Sequence, residues 1–362
     1  VKAISCTLLG VIFFLFSAEA QVRDHFEREI GKIIAFDAEI DFERTPGLVV
    51  GLVWKDSSFL FPYGAASPED SSAISGDLGF ELGELTQVFT AALVIKLAGK
   101  GLLDLDATVS EMLGLDAIDG NAGKISLRQC LNHTSGLPRF PPDFGELEHS
   151  TEDPYASYTK GHLLEFFKDF EMPSPPPQPY AFSNLNYALL EMALEKTMGK
   201  PFSEIINEEL LLPLALEQTG METDSFLFVQ GYGQNGKPAP LWSPASHQAA
   251  FGLKSTPQDL LRWMHFLLHP GPEWAAVFSE LYARPAPTGI RKNTLAGYGW
   301  HIFYPKKKVR VLVHTGSTGG YMAYMAIVPE TKTGVFVLAN SPYGVRGLGL
   351  LVLGMLNNGW KR

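Results

Sequence analysis

From Leu85 to Ala98 the chain is apolar almost all the way round, broken only by Thr86, Gln87, Thr90 and Lys96. A helix without a polar face has nowhere to sit except the middle of a protein. Lys100 and Gly101 close it, a basic last turn followed by glycine. Whatever fold this chain adopts must therefore wrap other elements around one central helix. With 362 residues there is enough chain to do so in one large domain.

Strand signals lie at the two ends of the chain. Gly47 to Trp54 is a β-branched run that breaks at Lys55-Asp56-Ser57-Ser58 and returns as Phe59 to Tyr63. Val309 to His314, Tyr321 to Val328 and Val335 to Asn340 read as three more strands, with a turn at Pro329 to Gly334. Between them the sequence is mostly helical. Ile125 to Leu131, Gly161 to Phe170, Leu185 to Gly199, Pro201 to Leu211 and the stretch after Pro257 all read as helices. Pro141 to Ser157 and Gly231 to Pro244 read as loops, and Leu348 to Leu356 as a closing helix. Met172 to Pro179 must be extended, a stiff lead-in to the segment behind it. The expectation is one sheet built from both termini with a helical region inserted: an α/β part at about 21–84 and 250–362, and a helical part at about 85–249.

The first twenty residues stand apart. Val1-Lys2 is a short basic start, Ile4 to Phe16 an apolar run, and Ala18-Glu19-Ala20 a small-x-small cleavage pattern. We read residues 1–20 as a signal peptide and the mature chain as 21–362, secreted or periplasmic, starting at Gln21; an uncleaved N-terminal anchor is the rival reading. Arg23 to Phe42 follows as an amphipathic helix. Cys6 would leave with the signal, and Cys130 is expected to be a buried thiol with no partner. A net charge of −10 and a pI near 5.4 give no electrostatic footprint for nucleic acid. No pattern calls for a metal or an organic cofactor, and no stretch of the mature chain is long enough to span a bilayer.

Phe80-Glu-Leu-Gly-Glu-Leu-Thr-Gln-Val-Phe-Thr90 resembles the start of the central helix in the serine β-lactamase and penicillin-binding-protein family, where the helix begins Ser-x-x-Lys. Further matches follow in order: His133-Thr-Ser-Gly-Leu-Pro138, Ser183-Asn-x-x-Tyr187, Pro213-Leu214 and Gly252-Leu-x-Ser-Thr-x-x-Asp-Leu260. Gly297-Tyr-Gly-Trp300 and His314-Thr-Gly316, with Gly319-Gly320 behind it, complete the series. The resemblance runs from about Pro46 to Asn340 and implies an antiparallel sheet flanked by helices plus an all-helical region, with a cleft between them.

In that family a serine attacks an acyl carbonyl, a lysine one turn later takes its proton, and a tyrosine relays protons. A Lys- or His-Thr-Gly strand binds the substrate carboxylate and supplies an oxyanion donor. Laid on this chain residue by residue, the serine position is Glu84, the lysine position Gln87 and the tyrosine position Phe182. Asn184 and His314-Thr315-Gly316 remain, so Glu84, Gln87, Phe182, Asn184, His314, Thr315 and Gly316 are the expected cleft residues. An acyl-glutamate would be an anhydride, an amide is no base near neutrality, and phenylalanine has no hydroxyl. Thr86 should point away from the cleft. Ser183 lies beside it without an obvious base, and Ser135 is in a loop that is structural in the family.

The resemblance thus implies a binding relative for a peptidoglycan-like or acidic peptide ligand. The alternatives are a hydrolase, esterase or DD-peptidase with a relocated nucleophile, and a protein whose cleft is vestigial. A carboxylate at a helix start also has a role that needs no ligand, since the helix dipole favours it. If Glu84 and His314 face each other, each should favour the other's charge, raising the histidine pKa and lowering that of the glutamate.

Overall fold

The computed structural model describes residues 2–36, 40–67, 72–114, 120–145, 153–222, 227–291, 293–306 and 309–357, with side chains described from Glu19 onward except at 306. Its frame is an eight-stranded antiparallel sheet. The strands are β1 (Gly47–Trp54), β2 (Ser57–Gly64), β3 (Ala286–Pro287), β4 (Thr294–Ala296), β5 (His301–Lys306), β6 (Val309–Ser317), β7 (Met322–Val328) and β8 (Thr333–Ala339). Their order is β2-β1-β8-β7-β6-β5-β4-β3. Strands from early and late in the sequence are therefore paired within one sheet, with Val50 of β1 opposite Val337 of β8. β1 and β2 form a hairpin around Lys55 and Asp56, Lys55 taking a positive φ of 56°. Strands β3 to β5 carry too few residues with a clear alternation to be read from sequence.

Both faces of the sheet are covered, which is why β1, β7 and β8 are continuous apolar runs. The long helix α1 (Lys2–Phe36) and the closing helix α5 (Val345–Leu356) cover one face, Phe26 and Ile30 packing with Leu48, Val50, Val337 and Leu348. Phe26 meets the rings of Trp54 and Phe59 at centroid distances of 5.6 and 5.8 Å. The described part of α1 ends at Phe36, and residues 40–42 are not helical, so α1 does not reach the Phe42 expected from its periodicity. At Asp41 the side-chain carboxylate accepts the Glu43 N–H (2.9 Å), a local side-chain-to-backbone bond that competes with continuing the helix.

The central helix α2 (Thr86–Gly99), α3 (Asn184–Met198) and α4 (Pro257–Leu268) lie on the other side. α2 is buried on every side, as its composition requires, and Phe89 stacks on Trp263 of α4 at 4.3 Å. α3 ends on Gly199 in the left-handed region. α4 starts on a Thr256 cap with Pro257 in its first turn. Cys130 is buried, and burial pushes its thiol pKa up. Among the described residues no helix is long and apolar enough to cross a membrane, and no group of His, Cys, Asp and Glu is arranged to hold a metal ion.

Candidate functional site

The site is assembled where β6 runs past the start of α2. Phe80–Glu81 pairs with Lys254–Ser255, and the Leu82 N–H donates to the Leu253 carbonyl at 3.0 Å. Gly83 then turns with φ +53°, and a single 3-10 turn, Gly83–Leu85, leads into α2. Thr86 points away from β6 and accepts the Leu253 N–H at 3.1 Å. Gly316 lies flat on this turn: a Cβ there would stand 2.6 Å from the Leu85 nitrogen and 2.7 Å from the Glu84 nitrogen, and would collide with the Leu82 carbonyl. Only glycine permits that approach.

The consequence is a short contact that motif matching does not reveal. The Glu84 carboxylate accepts the Ser317 N–H at 2.9 Å and also the N–H of its own residue. Arg139 approaches the other carboxylate oxygen at 3.5 Å. Glu81, three residues earlier, holds the residue just past the end of β6: it accepts the Thr318 hydroxyl at 2.6 Å and the Trp242 N–H at 2.5 Å. The two carboxylates thus grip Ser317 and Thr318 in succession. Burial pushes the Glu81 pKa up to about 7. Burial also raises that of Glu84, against the opposing pull of its two N–H donors and Arg139.

Arg139 is the exposed member of the site. Its side chain is 55% accessible against 16% for Glu84, and its guanidinium lies 5.1 Å from the Phe182 ring and 5.4 Å from the Phe140 ring. Behind them the Gln87 amide donates to Asn184 Oδ1 at 3.2 Å, and the Asn184 side chain hydrogen-bonds the Tyr155 hydroxyl. Burial raises the Tyr155 pKa, and the nearby Glu84 charge adds to the rise.

Phe182 is set by the proline-rich lead-in. Gln178 and Ala181 donate backbone N–H bonds to the carbonyls of Thr134 (2.7 Å) and His133 (3.0 Å), so the tract is stitched to the His-Thr-Ser-Gly loop. The Phe182 ring lies 4.6 Å from His133 and 6.5 Å from His314. His301 is 6.1 Å from His314, and the Tyr180 hydroxyl meets His301 Nε2 at 2.6 Å. Thr315 is half-buried on β6 opposite Tyr324.

The expected Glu84–His314 charge pair is not formed. His314 meets the backbone of Glu84 and of Gly299, whereas the carboxylate turns to Ser317 and Arg139. Without a carboxylate partner, burial governs both groups. It pushes the His314 pKa down to about 3, assisted by His301, and pushes the Glu84 pKa up, the reverse of the signs expected from sequence. His133 is held well below the usual range for the same reason.

Sequence reading missed Arg139, Ser317, Tyr155, Tyr180, His133 and His301 as site residues. Arg139 and Ser317 directly follow recognised motifs and could have been included on that ground. His301 likewise follows the Gly297-Tyr-Gly-Trp300 match, whereas Tyr155 comes from a loop that carried no signal. The two candidate serines are committed elsewhere: the Ser183 hydroxyl donates to the Pro138 carbonyl at 2.6 Å, and the Ser135 hydroxyl accepts the Leu137 N–H at 3.1 Å.

An antiparallel sheet from both termini, an inserted helical region, and a helix start facing a His-Thr-Gly strand define the α/β fold of the serine β-lactamases and DD-peptidases. The chain belongs to the beta-lactamase family, whose model matches residues 35–351. It is 26% identical over 331 residues to a beta-lactamase of Pseudomonas fluorescens, covering 82% of this chain and 89% of that protein. It is also 25% identical over 290 residues to the D-alanyl-D-alanine-carboxypeptidase/endopeptidase AmpH of Escherichia coli (strain K12), covering 76% and 74% of the two chains. The crystal structure of a beta-lactamase from Sulfitobacter sp. EE-36 superposes with a TM-score of 0.76 at 25% identity, over 91% of this chain and 98% of that one.

Proposed function

We propose that this protein is an exported, non-acylating member of the family whose cleft binds a carboxylate-bearing, peptidoglycan-like or acidic peptide ligand. Glu84, Gln87 and Phe182 take the places of nucleophile, base and proton relay. The observation that carries this reading is the Glu84 carboxylate on the Ser317 and Glu84 N–H groups. In an acyl-transfer enzyme such backbone donors would have to receive the oxyanion of the tetrahedral intermediate. Here a side chain that cannot form a stable acyl-enzyme sits on them.

Three further observations support it. Gln87 is neutral and bonded to Asn184, so the turn after Glu84 presents no base. The hydroxyls of Ser183 and Ser135 are spent on loop structure. Loss of one member of a coupled catalytic unit already costs about 10⁴- to 10⁶-fold in rate, and three are replaced. Arg139, exposed above Glu84, is the cation that would meet a ligand carboxylate. The likeness to a D-alanyl-D-alanine carboxypeptidase points to the peptidoglycan stem as the ligand class.

Incubation with a fluorescent penicillin, followed by gel imaging and intact-mass measurement, tests the reading. No labelled band and no mass shift are expected. A penicillin adduct on any serine would establish a relocated serine hydrolase and end the proposal. Thermal shift with a D-alanyl-D-alanine-terminated peptide tests the binding half; a flat response would leave the cleft vestigial.

A further inference from the structure

Three donors converge on Glu84: the Ser317 N–H at 2.9 Å, the N–H of residue 84 itself, and the Arg139 guanidinium at 3.5 Å. All are donors, and no acceptor competes among them, so the group they suit is an anion. Two belong to the backbone and are fixed by the collision-tight passage of Gly316 over the Gly83–Leu85 turn. They stay in place whatever side chain stands at position 84. Left without an acceptor, buried backbone donors cost about 1–3 kcal/mol each, so such a site favours occupation.

We infer that these three groups form a carboxylate-binding site that the chain fills with its own side chain, and that a small external carboxylate occupies it once Glu84 is shortened. This rests on the non-acylating reading above and adds to it a regulating feature: a ligand carboxylate must displace Glu84 to reach the backbone donors, and Arg139 is where it first lands. The geometry also sets the size of the occupant. Replacing glutamate by alanine keeps Cβ and removes a CH₂–COO⁻ fragment, which is acetate less one hydrogen.

The experiment is rescue of Glu84→Ala by sodium acetate, read as the thermal unfolding midpoint against sodium chloride at equal ionic strength. Glu84→Ala should unfold at a lower temperature than wild type. Acetate should raise its midpoint saturably while leaving wild type unmoved, and neutral acetamide should do nothing. Adding Arg139→Gln to Glu84→Ala should weaken the acetate response about tenfold, the scale of one charged hydrogen bond. If Glu84→Ala does not fold, its refolding yield with and without acetate replaces the midpoint: acetate-dependent recovery supports the site, and failure in acetate overturns it. An equal acetate shift in wild type and variant, or a shift that chloride or acetamide reproduces, also overturns it. A Glu84→Ala that ignores acetate sinks this inference alone, whereas penicillin labelling of wild type sinks the functional reading together with the displacement role built on it.

Discussion

His314 is 3% exposed, and its ring lies among His301, Phe182 and the backbone of Glu84 and Gly299, without a carboxylate partner. Its folded pKa of about 3 lies far below the ordinary 6.5, so the folded protein refuses a proton that the unfolded chain accepts. The stability it contributes is complete above the unfolded pKa and is lost as pH falls towards the folded value. Each unit below about 6.5 costs about 1.4 kcal/mol, so by about pH 5 this one group has removed about 2 kcal/mol. His314→Gln, neutral throughout, should lose that slope. Glu81 and Glu191, both pushed up to about 7 by burial, act in the opposite direction, adding stability as pH falls towards 4.5. They are present in both proteins, and the difference between wild type and variant cancels them. Urea unfolding of the two proteins between about pH 5 and 7.5 should therefore show wild type losing about 2 kcal/mol more than His314→Gln across that range. Parallel stability curves would mean that His314 binds its proton equally in the folded and unfolded states, and would refute its burial as a neutral imidazole.

Gly316→Ala sets a methyl group against three backbone atoms of the Leu82–Leu85 segment, and overpacking of that kind costs about 1–3 kcal/mol; equilibrium urea unfolding should show a loss at least that large, and an unchanged midpoint would refute the close approach. Trp263→Ala removes the ring stacked on Phe89 in the buried centre and should cost about 3–5 kcal/mol by the same measurement. N-terminal sequencing of protein recovered from the exported fraction should begin at Gln21, and finding Val1 there would end the cleaved-signal reading.

The large elements were legible because each has a single strong cause. The all-apolar stretch could only be a central helix, and the β-branched runs at both ends read as strands, which the fold then buries on both faces. The site was legible as a set of positions through its motifs, but its electrostatics were not. From sequence, Glu84 and His314 are a carboxylate and an imidazole on facing elements, and attraction between them is the natural expectation. What decides the outcome is which atom of residue 84 faces His314, and that depends on how closely Gly316 packs on the turn. Tyr155 and His301 were illegible for a related reason. Tyr155 has no neighbour in sequence that marks it, His301 only borders the Gly297-Tyr-Gly-Trp300 match, and each becomes a site residue through contacts with Asn184 and Tyr180 made across the fold.

The pairing of β1 with β8 has a consequence for how the chain is made. Val50 cannot find Val337 until the long stretch of chain between them has left the ribosome. At about 5–20 residues per second, the first hairpin waits roughly 15–60 seconds with one long, flat, apolar edge uncovered. Such an edge is a template for pairing with other chains, and the delay is built into the topology through its high contact order. Newborn chains of this protein should depend on a holding chaperone during that interval. A circular permutant that joins the present ends and opens in an exposed loop of the helical region would bring β8 and β1 out together, and should shed that dependence.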